Sequence, residues 1–280
     1  EDRDWDAAET ESLKVAYEFR KKFPAVDMID AYQFFAGLRI IKEDYELDLM
    51  RKAIKITTDG IAEMMKNAHA NMYEYEIEAY FDYVLTKNGV RDKAFKTIAA
   101  SGKRGTILHY SDNHALAEDG DLILIDAGAQ VDWYNGDISR TFPVNGKFTP
   151  LQKQIYDIVL SGQQKVIDTI KPGIRFSRLN EVLKEHYFEE LKKIGLVETP
   201  EDVAKYYYHG VSHMLGLETH DVGRHNEGLV QEGMVFTVEP GLYIAEEEIG
   251  IRIEDNVVVT KDGCEVLSKD IIRTVDEIEN

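Results

Sequence analysis

Residues 121–129 read Asp121-Leu122-Ile123-Leu124-Ile125-Asp126-Ala127-Gly128-Ala129, an apolar run closed by a carboxylate. Four consecutive Leu and Ile side chains between two acids predict a buried strand over Leu122 to Asp126. A charge buried there without a partner is costly, so Asp126 needs a cation. A second carboxylate follows in Gly136-Asp137-Ile138-Ser139-Arg140-Thr141-Phe142, at the head of a predicted strand over Ile138 to Phe142. If the residues between form a hairpin, with Asn135-Gly136 supplying part of the turn, the two acids meet at one place. The competing reading is a pair of turn aspartates with Arg140 as their ion-pair partner.

Two further acids stand in similar surroundings. Glu239 ends the run Phe236-Thr237-Val238-Glu239-Pro240-Gly241, where a strand over Val235 to Glu239 is expected. Glu254 lies in Gly250-Ile251-Arg252-Ile253-Glu254-Asp255-Asn256-Val257, within one long predicted strand from Ile249 to Thr260. Strand alternation sends Ile251, Ile253 and Val257 to one face and Arg252, Glu254 and Asn256 to the other. Either acid alone could simply pair with an arginine. Four acids in four strand contexts, with a histidine-rich loop between them, are harder to explain separately.

That loop reads His209-Gly210-Val211-Ser212-His213-Met214-Leu215-Gly216-Leu217-Glu218-Thr219-His220-Asp221-Val222-Gly223. Its His-x-x-x-His spacing has the look of a helical zinc site, but Gly210 stands where the catalytic glutamate would be, and Gly210 and Gly216 argue against a helix. His69, His186 and His225 are read as ordinary hydrogen-bonded histidines. One histidine with four carboxylates is a hard, oxygen-rich donor set suited to Mn²⁺, Fe²⁺, Co²⁺ or Zn²⁺. Four acids exceed what one ion needs, so two divalent ions about 3.5 Å apart, activating a water between them, are expected.

Outward from these motifs the chain reads as helices, strands, helices, strands. A helix and connector are expected over residues 1–42, with Pro24 stopping the helix. A stronger helix begins at Asp44, where Leu47, Met50, Ile54, Ile61 and Met65 share one face. Another covers Tyr75 to Lys87 and is closed by Asn88-Gly89. Thr149, Pro150 and Gln152 form a capping box for a helix to Lys171, and a last helix spans Ser177 to Lys193 before Gly195. Clustered rather than singly alternating strands favour an α+β architecture with helices packed on one face of a mainly antiparallel sheet. The repeated helix-pair-then-strands order suggests two related halves around a shared site.

Composition limits the partners. The 280 residues, 44% of them hydrophobic, suffice for a substantial core. With 52 acidic against 33 basic residues and a formal charge of −19, the chain repels phosphate backbones and anionic lipid, so no nucleic acid and no membrane partner is expected. The single cysteine, Cys264, excludes an internal disulfide and fits a reducing cytosol; it is read as a bland, partly buried residue. No apolar run approaches a bilayer span, and no signal segment opens the chain, so a soluble, cytoplasmic protein is expected. A start at Glu1 suggests a fragment or processed remainder of a longer chain.

In combination, the motifs Leu-Ile-Asp126-Ala-Gly, Gly-Asp137-Ile-Ser-Arg-Thr-Phe, His209-Gly-Val-Ser-His213, His220-Asp-Val-Gly, Val-Glu239-Pro-Gly and Gly-Ile-Arg252-Ile-Glu254-Asp resemble the catalytic domain of the pita-bread metallopeptidases. Within them the chain is more similar to the Xaa-Pro aminopeptidases (aminopeptidase P) than to prolidase, from about Leu38 to Ser268.

The resemblance implies the creatinase/aminopeptidase α+β fold, a curved, mainly antiparallel sheet with helices outside and pseudo-twofold halves. It implies a remnant of an upstream domain over 1–42, a catalytic domain over 43–280, and a homo-oligomer in the full-length protein. Asp126 would chelate one ion, Asp137 and Glu254 would bridge both, and His213 with Glu239 would complete the second, with Mn²⁺ first among Co²⁺, Zn²⁺ and Fe²⁺. Glu239 would move the proton of a hydroxide bridging the two ions. His109, His209 and His220 would contact substrate, Arg252 would orient Asp126 or Glu254, and Tyr243 and Met214 are candidate walls of a prolyl pocket. Met214 departs from the aromatic residue common at that position. The implied reaction removes an N-terminal residue ahead of proline. Alternatives are a prolidase acting on Xaa-Pro dipeptides and a non-catalytic peptide-binding relative.

Overall fold

A computed structural model describes residues 10–223 and 228–280; His225 lies outside them. The chain divides into two compact units, 1–38 and 39–280. In the first, Thr10 caps α1 (Glu11–Lys22), which buries none of its side chains. α2 (Tyr32–Ile40) then occupies a stretch expected to be irregular.

The second unit is built from two similar layers. α3 (Asp44–Asn67) and α4 (Glu74–Lys87) pack on a sheet of β1 (Ile98–Ser101), β2 (Leu122–Ala127) and β5 (Ile138–Pro143), in the order β1-β2-β5 and antiparallel throughout. Between β2 and β5, β3 (Gln130–Val131) and β4 (Tyr134–Asn135) form a small hairpin. Met50, Ile54, Ile61, Ile77 and Phe81 from the helices meet Ile123, Ile125, Ile138 and Phe142 from the strands in one buried cluster. Each such side chain contributes roughly 1.5–3 kcal/mol through burial, so Phe81→Ala would remove about 3–5 kcal/mol.

The second layer follows the same plan. α5 (Pro150–Thr169) and α6 (Ser177–Lys193) cover β6 (Val235–Val238), β7 (Gly241–Ile244), β8 (Ile249–Arg252), β9 (Asp255–Val259) and β10 (Cys264–Val266), and α7 (Val275–Glu279) closes the chain. The strands pair as β10-β9-β6 and β7-β8, all antiparallel. Ile155, Val159, Leu179, Leu183 and Tyr187 pack against Phe236, Val238, Ile251, Ile253 and Val257. This is the pita-bread arrangement, an α+β fold of two related halves with helices outside a mainly antiparallel sheet.

Three sequence expectations are corrected. The hairpin turn is Asp132-Trp133, both in left-handed backbone (φ 46° and 73°), while Asn135 is a strand residue facing Gln130. Two consecutive positive-φ residues match the right-handed strand twist, and that conformation outweighed the Asn-Gly signal. Gly136 is instead needed for close approach to α3, since a Cβ there would lie 2.8 Å from Thr57 Oγ1 and 3.2 Å from the Ile54 backbone. The long strand Ile249–Thr260 breaks at Ile253-Glu254, because β8 pairs with β7 and β9 with β6, and the Glu254 N–H donates to Ser139 across the gap at 3.0 Å. α5 ends at Thr169 rather than Lys171, as the residue before Pro172 is pushed out of helical backbone.

His186 is buried between Ser161 Oγ at 3.0 Å and the Ile158 carbonyl at 3.2 Å, and His69 bonds the Ala70 carbonyl at 3.0 Å. Cys264 is half-buried with its thiol on Ile167. Among the described residues no helix is long and apolar enough to cross a membrane.

Candidate metal centre

Each predicted acid arrives on its own stretch of backbone. In β2, the alternation that turns Ile123, Ile125 and Ala127 into the α3–α4 core turns Leu124 and Asp126 the other way. Asp137 precedes β5, where Asn256 holds it at both ends of its peptide group: Nδ2 donates to the Asp137 carbonyl and Oδ1 accepts from the Asp137 N–H at 3.2 Å. Glu239 follows β6 and Glu254 fills the break between β8 and β9. His213 runs alongside β6, its N–H donating to Thr237 Oγ1 at 3.1 Å and its carbonyl accepting from the Thr237 N–H at 3.0 Å.

All five side chains line one cavity of about 740 Å³, together with His109, His209, His220, Tyr243 and Arg252. Ligand atoms of Asp137, His213 and Glu254 lie within 4.8 Å of one another. Met214 is a correction. It is 3% exposed, joins the core around Phe236 and is not among the cavity-lining residues. Its backbone bridges to Phe236 in β6, which sends the side chain into the α5–α6 layer while Leu217 and Thr219 reach the cavity.

Arg140, the competing partner for the two aspartates, points to the opposite face and donates to Asp255 at 2.8 Å. Lys96 and Arg252 both line the cavity, and among the described residues Arg252 is the one that pairs with a clustered acid. Its guanidinium donates to Asp126 Oδ2 at 2.7 Å, Ser139 Oγ at 2.9 Å and the Tyr243 hydroxyl at 3.0 Å. Ser139 in turn donates to Glu254 Oε2 at 2.7 Å, so one arginine reaches Asp126 directly and Glu254 through a hydroxyl.

One guanidinium does not balance four acids. Burial, then repulsion from Asp126 and Glu239, pushes the Asp137 carboxyl well above its ordinary range. Glu254 is pushed up by burial and then by Asp137 and Asp126. Burial also raises Glu239, against the pull of His213 and Arg252. Asp126 Oδ1 is buried with no hydrogen-bond partner among the described residues.

The His213 ring points the same way. Its Nδ1 lies 3.1 Å from the Met214 carbonyl, which can only accept, so Nδ1 carries a proton and Nε2 is turned to Asp137 and Glu239, 3.4 Å from each. An orphaned acceptor, three carboxyls driven toward protonation and an imidazole Nε2 aimed at two of them together fit a divalent metal site.

Around this cluster, burial and then Arg252 push His209 down to about 4, so it is neutral at physiological pH. Its Nδ1–H donates to the Gly210 carbonyl at 2.8 Å and its Nε2 accepts from the Tyr243 hydroxyl at 2.9 Å. The His213 and His220 rings lie 4.3 Å apart.

Residues 48–261 match metallopeptidase family M24. The chain belongs to that family. A curated relative, the Xaa-Pro aminopeptidase of Escherichia coli K12, is 38% identical over 270 residues, covering 90% of this chain and 61% of its own length. The Xaa-Pro dipeptidase of Rattus norvegicus is 34% identical over 294 residues, covering 86% and 60%. The chain thus spans about three fifths of the length of these relatives. Among solved structures, a candidate aminopeptidase P from Bacillus anthracis superposes with a TM-score of 0.95 at 52% identity, covering 100% of this chain and 67% of that one. A zinc-substituted E. coli aminopeptidase P in complex with product gives 0.90 at 33%, covering 98% and 68%.

Sequence reasoning did not assign Ser139, which links Arg252 to Glu254, or Asn256, which fixes Asp137. Asn256 was legible as a polar residue on the Arg252–Glu254 face. Ser139 carried no signal, since its partners come from more than a hundred residues away.

Proposed function

We propose that this chain is a metal-dependent aminopeptidase that cleaves the bond between an N-terminal residue and a following proline, and that Asp126, Asp137, His213, Glu239 and Glu254 hold two divalent ions, Mn²⁺ first among them. The convergence of those five side chains on one cavity, where Arg252 pairs with Asp126 and reaches Glu254 only through Ser139, carries the reading. Bound there, the ions would neutralise the acids and lower the pKa of a water enough to make it nucleophilic near neutral pH.

The chain's own groups have separable tasks. Glu239, with Thr237 Oγ1 3.4 Å from one oxygen and His209 Nδ1 3.8 Å from the other, accepts the proton of the attacking water and returns it to the leaving nitrogen. His109 and His220, both on the cavity wall, donate to the carbonyl oxygen as negative charge develops on it. Arg252 orients Asp126 directly and Glu254 through Ser139. Tyr243 connects Arg252 to the neutral His209 and walls the pocket for the proline ring. The acidic composition and single cysteine support a cytosolic setting.

The rat relative's name keeps a dipeptidase reading in view. Incubation of the purified chain with Xaa-Pro-Xaa tripeptides and Xaa-Pro dipeptides, with Mn²⁺ and with chelator, separates the possibilities. Metal-dependent release of the first residue from the tripeptide is expected. Rapid cleavage of the dipeptide alone would make it a prolidase, and two bound ions without any hydrolysis would make it a peptide-binding module.

A further inference from the structure

A second buried acid stands outside the metal cluster. Glu74, the first residue of α4, is 0% exposed, yet among the described residues no cationic side chain pairs with it; four hydrogen-bond donors surround it instead. One oxygen accepts from the Ser101 N–H and the Ser101 hydroxyl, both at 2.7 Å. The other accepts from the Tyr110 hydroxyl at 2.7 Å and the Ala115 N–H at 2.9 Å. A helix N-terminus explains why a negative charge is tolerated there. It does not explain why all four donors come from one segment, Ser101 to Ala115, which leaves β1 and returns beside it carrying His109.

That segment has little else to hold its outer half. The 3-10 turn Gly102–Thr106 is seated on β8, where Gly105 and Gly250 meet so closely that a Cβ on Gly250 would overlap the Gly105 carbonyl. Beyond it, the backbone from Ile107 to Asn113 makes, among the described residues, only the local backbone bonds Ile107 N–H to Arg104 and Tyr110 N–H to Ile107. Leu108 and Tyr110, on either side of His109, pack on the Ile98, Ala100, Leu124 and Tyr243 cluster. Asn113, in left-handed backbone at φ 48°, ties the return to the Ala99 N–H at 3.0 Å and the Thr97 carbonyl at 2.9 Å.

We propose that Glu74 is a positioning residue for His109: by joining Ser101, Tyr110 and Ala115 on one carboxylate, it closes this segment and fixes the imidazole on the cavity wall. The clamp stands on this geometry; its catalytic consequence rests on the peptidase reading above. Glu74→Gln keeps one acceptor oxygen and turns an amide NH₂ toward the other pair of donors, releasing one side of the clamp. Tyr110→Phe removes only the bond beside His109 and is the milder variant should Glu74→Gln fold poorly.

The test uses the full chain loaded with Zn²⁺, which is diamagnetic, and the His109 Cε1–H resonance assigned through His109→Gln. One sharp line is expected for the unmodified chain and a broadened or doubled line in both variants, with faster amide exchange across residues 102–114. In a double-mutant cycle with Mn²⁺, Glu74→Gln should lower kcat/KM about tenfold when His109 is present and have little further effect in His109→Gln. An unchanged His109 line, or losses that simply add, overturns the proposal. An unmodified chain without turnover fails the peptidase reading instead, and the resonance and exchange results then decide Glu74 alone.

Discussion

Glu254 and Asp255 are adjacent in the chain, equally buried at 2% and 1% exposure, and oppositely supplied with charge. Asp255 accepts from Arg140 at 2.8 Å and the Ser268 hydroxyl at 2.6 Å, with Arg273 3.6 Å away. Glu254 receives one hydroxyl, from Ser139, and shares its cavity with Asp126, Asp137 and Glu239. At the break between β8 and β9 one carboxylate meets cations of the protein's own, Arg140 and Arg273, and the other turns to the cavity, where its neighbours are acids. Burial alone therefore does not mark a binding site; several buried acids that share one cavity with too few cations do.

Removing either member should separate the two roles. Glu254→Gln is expected to lower Mn²⁺-dependent turnover roughly a thousandfold or more, since stabilisation of several kcal/mol is lost. The thermal midpoint of the metal-free chain should hold or rise, because like-charge repulsion is relieved. Steady-state kinetics and thermal denaturation of the same preparation check both halves. Arg140→Met should do the reverse, costing about 3–5 kcal/mol by urea denaturation whether or not metal is added, because Asp255 loses its main partner. Pairing it with Asp255→Leu should restore most of that loss.

Arg252→Lys sharpens the comparison within the cavity. A single ammonium cannot reach Asp126, Ser139 and Tyr243 together, so metal affinity or turnover should fall about 10- to 100-fold, read by titration calorimetry and kinetics. The smallest effect is on pH dependence. Asp137, Glu239 and Glu254 have carboxyls raised first by burial, so in the metal-free chain they hold protons that the unfolded chain releases. Their contribution to stability is complete below the ordinary carboxyl range and is lost as pH rises toward neutrality. Denaturation of the metal-free chain should show that decline, and excess Mn²⁺ should flatten it.

The parts of this arrangement that were legible in the sequence are the locally coded ones. The capping box Thr149-Pro150-Gln152 and the apolar run ending at Asp126 each carry their signal within a few residues, and both formed as expected. The Ile251, Ile253 and Val257 alternation was also sound, although the strand breaks within it. β1, with its Ile-Ala-Ala-Ser sequence, was missed because small residues carry little strand propensity and its stability comes from pairing with β2. β7 and β10, four and three residues long, are too short for periodicity to register. Met214 was misplaced because nothing local decides which face a Gly-flanked residue takes; its bridge to Phe236 does. The clamp at Glu74 depends on donors 27 to 41 residues away, a range at which a single sequence is silent.

The central claim, that divalent ions neutralise these buried acids, is tested most directly by anomalous diffraction from crystals of the chain soaked in Mn²⁺. Two anomalous peaks about 3.5 Å apart, enclosed by Asp126, Asp137, His213, Glu239 and Glu254, are the predicted result. A cavity that stays free of anomalous density at saturating Mn²⁺, or peaks confined to surface carboxylates, would contradict it.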